Sequence, residues 1–325
     1  MKHRVLAIGG ATWDVLFTTP QAKLVADQRS HQRRLAFPYG GKVDAAGVTY
    51  GFGGGAANVS VSLARLGVAV DIATRVGSDW RGQEVVRNLR SHGVGSRLVQ
   101  VDKLQTTPLA FIVTTGGAHD HVAFVSRGAA TKLKLPRAVA RAYDWVYLTS
   151  LATPTWSKEL RTLLPSLKRR GQHLFWNPGA AQLAEGRRLK PLLRFVSVLD
   201  LNREEAEALA RDLGLRCQSL SQLLHKLRAL GPGAVLITDG ARGAYYYDGD
   251  VVLHRPSLRL HPVNTTGAGD AFGAGFLAGC LQTKGTVRQA MDWGMYNSSS
   301  VICQVGAQRG LLKLSQMHAF AKRYA

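Results

Sequence analysis

The chain is poor in cysteine. Its 325 residues hold three, Cys217, Cys280 and Cys303, far apart and with no Cys-x-x-Cys pair. That usage supports neither a zinc site nor a disulfide framework, and it fits a reducing cytoplasm. No stretch of about 18 apolar residues occurs, so no membrane span is expected. The first apolar run, residues 5–8, is closed by Gly9-Gly10 and is too short for a signal peptide. Acidic residues are scarce, 21 against 42 Lys and Arg, which leaves a formal net charge of +21. Such an excess favours nucleic acid, a membrane surface or an acidic small molecule as partner. The basic residues are scattered, however. The densest groups are Arg33-Arg34, Lys168-Arg169-Arg170 and Arg187-Arg188, and no basic run is interleaved with aromatics. A basic solvated surface is the expectation, and a nucleic-acid site is not. Two common phosphate loops are also missing. No Gly-x-x-x-x-Gly-Lys-Ser/Thr occurs, since Gly41-Lys42 is followed by Val43. Gly267-x-Gly269 is followed by Gly273, one position too far for a dinucleotide fingerprint.

What is present is a hydrophobic content of 46%, enough for a substantial core in one large α/β domain or two small ones. The chain is organised around Asn264-Thr265-Thr266-Gly267-Ala268-Gly269-Asp270-Ala271-Phe272. This string follows a short extended run and opens an apolar segment, 271–281, that reads as a helix. Its glycines let the backbone come close to a ligand. The first NH groups of a helix have no internal partner and carry the positive end of its dipole, so the turn is a candidate anion cradle. Asp270 falls in the first turn. A carboxylate beside an anion-binding turn has the parts for phosphoryl transfer: NH groups for the negative charge, and a base for the attacking hydroxyl. A purely structural Gly-rich turn is the competing reading of these residues taken alone.

Other signals surround it. Residues 5–8 read as a buried first strand, with Asp14 just beyond it, where α/β sheets bind ligands. Gly53-Gly54-Gly55-Ala56-Ala57-Asn58 enters a helix with Val59, Leu63 and Leu66 on its apolar face and Gly67 past its end. From residue 144 onward strands alternate with helices, which implies a mainly parallel sheet covered on both faces. The strand 195–201 runs into Asn202-Arg203-Glu204-Glu205, whose spacing is also that of a helix capping box. The strand 234–238 runs into Thr238-Asp239-Gly240-Ala241-Arg242-Gly243, a hairpin turn or a ligand loop. The regions 37–52, 109–113 and 121–125 read as strands outside the main sheet.

Taken in order, these strings resemble the ribokinase-like, PfkB-type carbohydrate kinases. The family signature runs Asp/Asn-Thr-x-Gly-Ala-Gly-Asp-x-Phe, preceded by a Gly-Gly-x-x-x-Asn helix entry, an Asn-x-x-Glu string and a Thr-x-Gly-x-x-Gly loop. The resemblance covers nearly the whole chain. It implies a three-layer α/β/α domain with a mainly parallel central sheet and a small β-sheet lid. The expected organisation is one kinase domain over 1–325, with lid strands inserted at about 33–52 and 106–127.

The resemblance also assigns roles. Asp270 would be the catalytic base, with Gly267, Ala268 and Gly269 as the anion hole. Asp14, Gly54 and Asn58 would orient the acceptor; a carboxylate suits that task because it accepts hydrogen bonds from adjacent hydroxyls. Asn202, Thr238, Gly240 and Gly243 would meet the nucleotide, with Asn297 and Gly306 near its adenine. Glu205 would act on Mg²⁺ through water, since Mg²⁺ keeps several of its waters. Asn264 stands where many members carry an Asp that helps bind a monovalent cation such as K⁺, and it is the weaker ligand. Two departures argue against ribose itself: ribokinase has Asn where this chain has Thr12, and Lys where it has Gly55.

The expected activity is therefore ATP-dependent phosphorylation of a hydroxymethyl group on a sugar or sugar-like substrate, with Mg²⁺. A nucleoside kinase is the alternative, with Phe37, Tyr39 and Phe52 available to stack on a base. A non-catalytic nucleic-acid-binding protein on the same fold is the rival from another class, and an intact Asp270 speaks against it. Exposed lid edges offer a pairing surface for a second copy, which makes a homodimer the expected assembly.

Overall fold

The computed structural model describes residues 3–26, 33–115, 121–136, 142–283 and 286–324. Short, continuous apolar runs build its centre. β1 (Arg4–Ile8) is followed by four strands that leave the main sheet: β2 (Thr12–Thr18), β3 (Lys23–Ala26), β4 (Arg33–Ala36) and β5 (Gly47–Gly53). The chain then returns through α1 (Gly55–Arg65) to β6 (Ala69–Ala73). β7 (Arg75–Gly77), α2 (Trp80–Ser91) and β8 (Gln100–Asp102) lead to the hairpin of β9 (Leu109–Thr114) and β10 (His121–Ser126). Regular alternation follows with β11 (Trp145–Leu148), α3 (Trp156–Arg169) and β12 (His173–Trp176). Two short helices, α4 (Ala180–Leu183) and α5 (Gly186–Leu189), precede β13 (Val198–Asn202). After α6 (Arg203–Asp212) and α7 (Leu220–Arg228) come β14 (Ala234–Thr238), β15 (Ala244–Tyr247) and β16 (Val252–Arg255). Three helices close the chain: α8 (Ala268–Gln282), α9 (Val287–Ile302) and α10 (Leu314–Tyr324).

The main sheet has the order β16-β15-β14-β13-β12-β11-β1-β6. From β14 to β6 every pairing is parallel, and the β15–β16 hairpin adds an antiparallel edge. Successive strand residues point to opposite faces, and the core divides accordingly. Val5, Ala7, Tyr147, Phe175 and Leu236 join a cluster with α1, α8 and α9. Leu6, Ile8, Leu148, Trp176 and Ile237 join another with α3, α6 and α7. Burial on both faces is why these strands read as unbroken apolar runs. The result is a three-layer α/β/α fold. β1 leads to β6 on one side and is flanked by β11 on the other, so the order reverses there. That switch point opens a crevice at the strands' C-terminal ends, where ligands bind in open α/β sheets.

The lid is a four-stranded sheet of order β10-β9-β2-β5. Lid strands are expected at about 33–52 and 106–127; the sheet draws β5, β9 and β10 from those ranges and takes β2 from outside them. Residues 33–36 pair with β3 and stand outside the lid, while β2 is one of its two central strands. β2 carries Trp13, Val15 and Phe17 on one face and Asp14 and Leu16 on the other, a period-two pattern that fits a sheet covered on one side. Asp79 shows why the turn after β7 is structural. It caps α2 by accepting from Gly82 N (3.0 Å) and also accepts from Thr107 Oγ1 (2.7 Å). No helix among the described residues is long and apolar enough to cross a membrane.

Candidate active site

Gly267 stands at the mouth of α8 because the chain enters that helix through a left-handed residue. Gly267 is the N-cap, with φ +79°. A Cβ on it would also lie 2.6 Å from the Cβ of Ala307, so the turn packs against the loop after α9. Ala268, Gly269 and Asp270 form the first turn of α8. Gly269 is exposed, and a Cβ there would meet nothing within 4 Å. Within the turn Ala268 N donates to Thr265 O at 3.2 Å, and among the described residues no backbone acceptor takes the NH of Gly269 or Asp270. Thr266 Oγ1 lies beside this turn, buried and without a hydrogen-bond partner.

Asp270 is half-buried between this turn and α1. Asn58 Nδ2 donates to Asp270 Oδ2 at 2.8 Å. Burial pushes the Asp270 carboxyl above its ordinary value, and the Asn58 bond pulls part of that back. Gly54, the N-cap of α1, has φ +88°, and a Cβ on it would strike Gly10 O at 2.6 Å. This close approach packs the α1 entry onto the loop after β1. A Cβ on Gly55 would stand 3.3 Å from Asp270 Oδ1, so the glycine entry lies directly beside the carboxylate.

Asp14 does not follow a main-sheet strand, as the sequence led us to expect. It lies on β2, paired with Gly51 and Ala110, and reaches the site from the lid. It is 5% exposed, and Thr12 Oγ1 donates to its Oδ1 at 2.6 Å. Burial raises its carboxyl, with the Thr12 bond opposing. Among the described residues Oδ2 accepts no hydrogen bond, which leaves it free for a substrate hydroxyl. Arg127, exposed, lines a pocket with Thr12, Gly54 and Gly55.

The other half of the crevice lies at the ends of β13 and β14. Asn202 and Thr238 are register partners there. Asn202 caps α6 by accepting from Glu205 N (2.8 Å), and Glu205 Oε2 accepts from Asn202 N (2.9 Å). The capping box is thus real. Burial raises the Glu205 carboxyl first, and the charges of Asp270 and Glu204 raise it further. Gly240 (φ +51°) and Gly243 (φ +93°) shape the next turn, pinned by Asp239, which accepts from Arg242 Nε (2.7 Å) and Arg203 Nη1 (3.0 Å). Gly306 lines the cavity that contains Asp14, next to Ala307 and the α8 turn.

Asn297 is the clear correction. It is fully buried and donates to Ser62 Oγ (2.9 Å) and Ala271 O (2.7 Å), while its Oδ1 accepts from Leu312 N (3.0 Å). With its amide engaged inside the core it ties α9 to α1 and α8, and it offers nothing to an adenine. Asn264 Oδ1 likewise accepts from Thr266 N (3.1 Å), shaping the turn. Phe37 and Tyr39 are exposed in the segment before β5. Phe52 packs edge-on against Trp13, ring centroids 5.3 Å apart.

Several residues at the site carry no motif. Gln308 Nε2 donates to Asn58 Oδ1 (3.1 Å), and Asn88 Nδ2 donates to Gln308 Oε1 (2.9 Å). The amides thus form a directed chain, Asn88 to Gln308 to Asn58 to Asp270. Beneath Asp270 lie Asp200 and Tyr147, both facing Gly273: a Cβ there would be 2.9 Å from Asp200 Oδ2 and 2.0 Å from Tyr147 Oη. Burial, then the charges of Glu205 and Asp270, raise the Asp200 carboxyl well above its ordinary value. No group of three metal-ligating side chains occurs among the described residues. The carboxylates of Glu205 and Asp270, near enough for the Asp270 charge to act on Glu205, suit a hydrated divalent cation.

Residues 22–314 match the pfkB family of carbohydrate kinases. The chain belongs to that family. It is 31% identical over 235 residues to a nucleoside kinase of Methanothermobacter thermautotrophicus, covering 71% of this chain and 72% of the relative. It is 28% identical over 262 residues to a ribokinase of Bacillus subtilis, covering 80% and 84%. The structure of Arabidopsis thaliana ribokinase complexed with ribose and ATP superposes with a TM-score of 0.79 at 19% identity, over 99% of both chains. The fold is thus ribokinase-like, and the protein is a sugar or nucleoside kinase that phosphorylates a hydroxyl group.

Proposed function

We propose that this kinase transfers the γ-phosphoryl group of Mg-ATP to a hydroxymethyl group of a sugar-type acceptor, with Asp270 as general base. The observation that carries the reading is the placement of Asp270. It stands in the first turn of α8, beside the unpaired NH of Gly269, and it is held by Asn58 from the glycine-rich entry of α1.

Asp14, Gly54 and Asn58 orient the acceptor so that its hydroxyl faces Asp270. Asp270 takes the hydroxyl proton as the oxygen attacks the γ-phosphorus. The bond from that phosphorus to the β–γ bridging oxygen breaks, and ADP leaves. The NH groups of Gly267, Ala268, Gly269 and Asp270 stabilise the charge that builds on the transferring oxygens. Asn202, Thr238, Gly240 and Gly243 line the nucleotide side. Mg²⁺ would neutralise phosphate charge when bound, and Glu205 would hold it through its waters. A monovalent cation at Asn264 would have to share the oxygen that shapes the turn, so weak dependence on K⁺ is the expectation. We read the chain as one domain with its lid, acting in the cytoplasm, as its free cysteines suit.

The uncovered lid face supports a dimer. Tyr50, Phe124 and Trp80 beside it are each more than half exposed. Light scattering tests it, and a monomer at assay concentration would overturn it.

The kinase mechanism is tested by Asp270→Asn. Loss of a general base is expected to lower kcat by about 10²–10⁴-fold. The ionised carboxylate is penalised by burial, which raises its folded-state pKa. That penalty applies in full above the folded-state pKa and fades as pH falls through it toward the ordinary carboxylate value. The amide variant should therefore melt no lower than the parent at neutral pH. Near-normal turnover in the folded variant would refute the assignment. A nucleoside acceptor is the second reading, favoured by the identity to the Methanothermobacter nucleoside kinase.

A further inference from the structure

A cavity of about 350 Å³ runs beneath the lid from Asp14 to a wall of three basic residues, Arg65, His92 and Arg309. They come from the end of α1, the end of α2 and the loop after α9. No carboxylate answers them: among the described residues none of the three forms an ion pair. Arg65 Nε is buried and has no hydrogen-bond partner. An unpaired guanidinium donor in such a place costs free energy that a bound anion would offset. The wall's charge is felt within the cavity. Burial, then the charge of Arg65, then that of Lys313 hold His92 below its ordinary value.

Position links this wall to the reaction. Arg65 follows Asn58 by seven residues on α1, which is two turns, or about 10 Å, along the same helix face. Asn58 marks the end where the accepting hydroxyl meets Asp270. Gln308, which holds Asn58, lines the same cavity as Arg65. A neutral sugar or nucleoside would leave the basic wall unanswered.

We propose that the acceptor carries an anionic group, a phosphate ester or a carboxylate, which Arg65 and Arg309 hold at the far end of the cavity while its hydroxyl faces Asp270. A planar guanidinium meets either group through paired NH bonds. This rests on the kinase reading and narrows its substrate class.

The test is ADP release with Mg-ATP over matched acceptors: neutral pentoses, hexoses and nucleosides, their monophosphate esters, and the corresponding sugar acids. The parent should prefer one anionic group, and the phosphate and carboxylate arms say which. In Arg65→Gln the ratio of kcat/KM for the anionic acceptor to that for its neutral analogue should fall at least about tenfold, the size of one lost charged hydrogen bond. The loss should appear mainly in KM, and Arg65→Lys should restore part of it, which a merely structural role would not produce. Parent enzyme that turns over neutral acceptors and ignores their anionic forms overturns this inference and leaves the kinase reading standing. If no acceptor is turned over, the kinase reading fails, and calorimetry with the same phosphate esters decides the inference separately. Binding weakened in Arg65→Gln supports the wall as an anion site, and absent or equal binding overturns it.

Discussion

Asn58 Nδ2 and Asp270 Oδ2 are 2.8 Å apart, although 212 positions separate them in the chain. The contact joins the N-terminal turns of α1 and α8, so the acceptor-binding entry and the catalytic turn are one structure. It also sets the charge state of the base, because Asn58 opposes the upward push of burial on Asp270. Replacing Asn58 with Ala removes the hydrogen bond that lowers this carboxyl. The acidic limb of the kcat–pH profile should then move to higher pH, since a base with a raised pKa is protonated earlier as pH falls. At neutral pH kcat should fall by about a hundredfold at most, the cost of a mispositioned reacting group. A pH–rate profile checks this, and an unmoved acidic limb would sink it.

Glu205 serves two tasks that can be separated. Its Oε2 caps α6, and its charge lies in the field of Asp270. Glu205→Gln keeps an oxygen for the cap but loses the charge. Stability should hold, while the Mg²⁺ concentration for half-maximal rate should rise by about 10–100-fold, as for other outer-sphere partners. A Mg²⁺ titration at fixed ATP reads this directly, and an unchanged midpoint would remove Glu205 from the metal's surroundings.

Asn297 should behave as a core residue. Its replacement by Ala leaves Ser62 Oγ and Leu312 N without this partner and removes the extra bond to Ala271 O, at a cost of about 2 kcal/mol or more. Urea unfolding should show that loss, while KM for ATP stays as in the parent. A stable variant with raised KM for ATP would restore Asn297 to the nucleotide site.

The parts legible in the sequence were those written in local chemistry. Parallel strands buried on both faces had to be continuous apolar runs, and the turn at Gly267 had to be glycine. β2 was hidden because Thr12–Thr18 gains its partners from Gly47–Gly53 and Leu109–Thr114, far along the chain. Gln308 and Asn88 gave no signal, since an amide that orients another amide needs no fixed spacing. Arg65 did leave one: it sits two helical turns from Asn58, but only the fold shows that no acid answers it.

Gly267 and Gly269 make the last prediction, because the same substitution should fail differently at two neighbouring positions. At Gly267, Ala must adopt φ +79°, which costs about 1–2 kcal/mol. Its Cβ would also press on Ala307, 2.6 Å away, and so disturb the loop that carries Gln308 to Asn58. Gly267→Ala should lose stability and turnover together. At Gly269 a Cβ meets nothing within 4 Å, and Ala is the better helix former by about 1 kcal/mol. That methyl group would project into the open space over the turn, where the transferring phosphoryl group is proposed to sit. Gly269→Ala should therefore melt no lower than the parent yet turn over more slowly. Melting curves and kcat for the two variants check this, and full activity in Gly269→Ala would move the phosphoryl group away from the α8 turn.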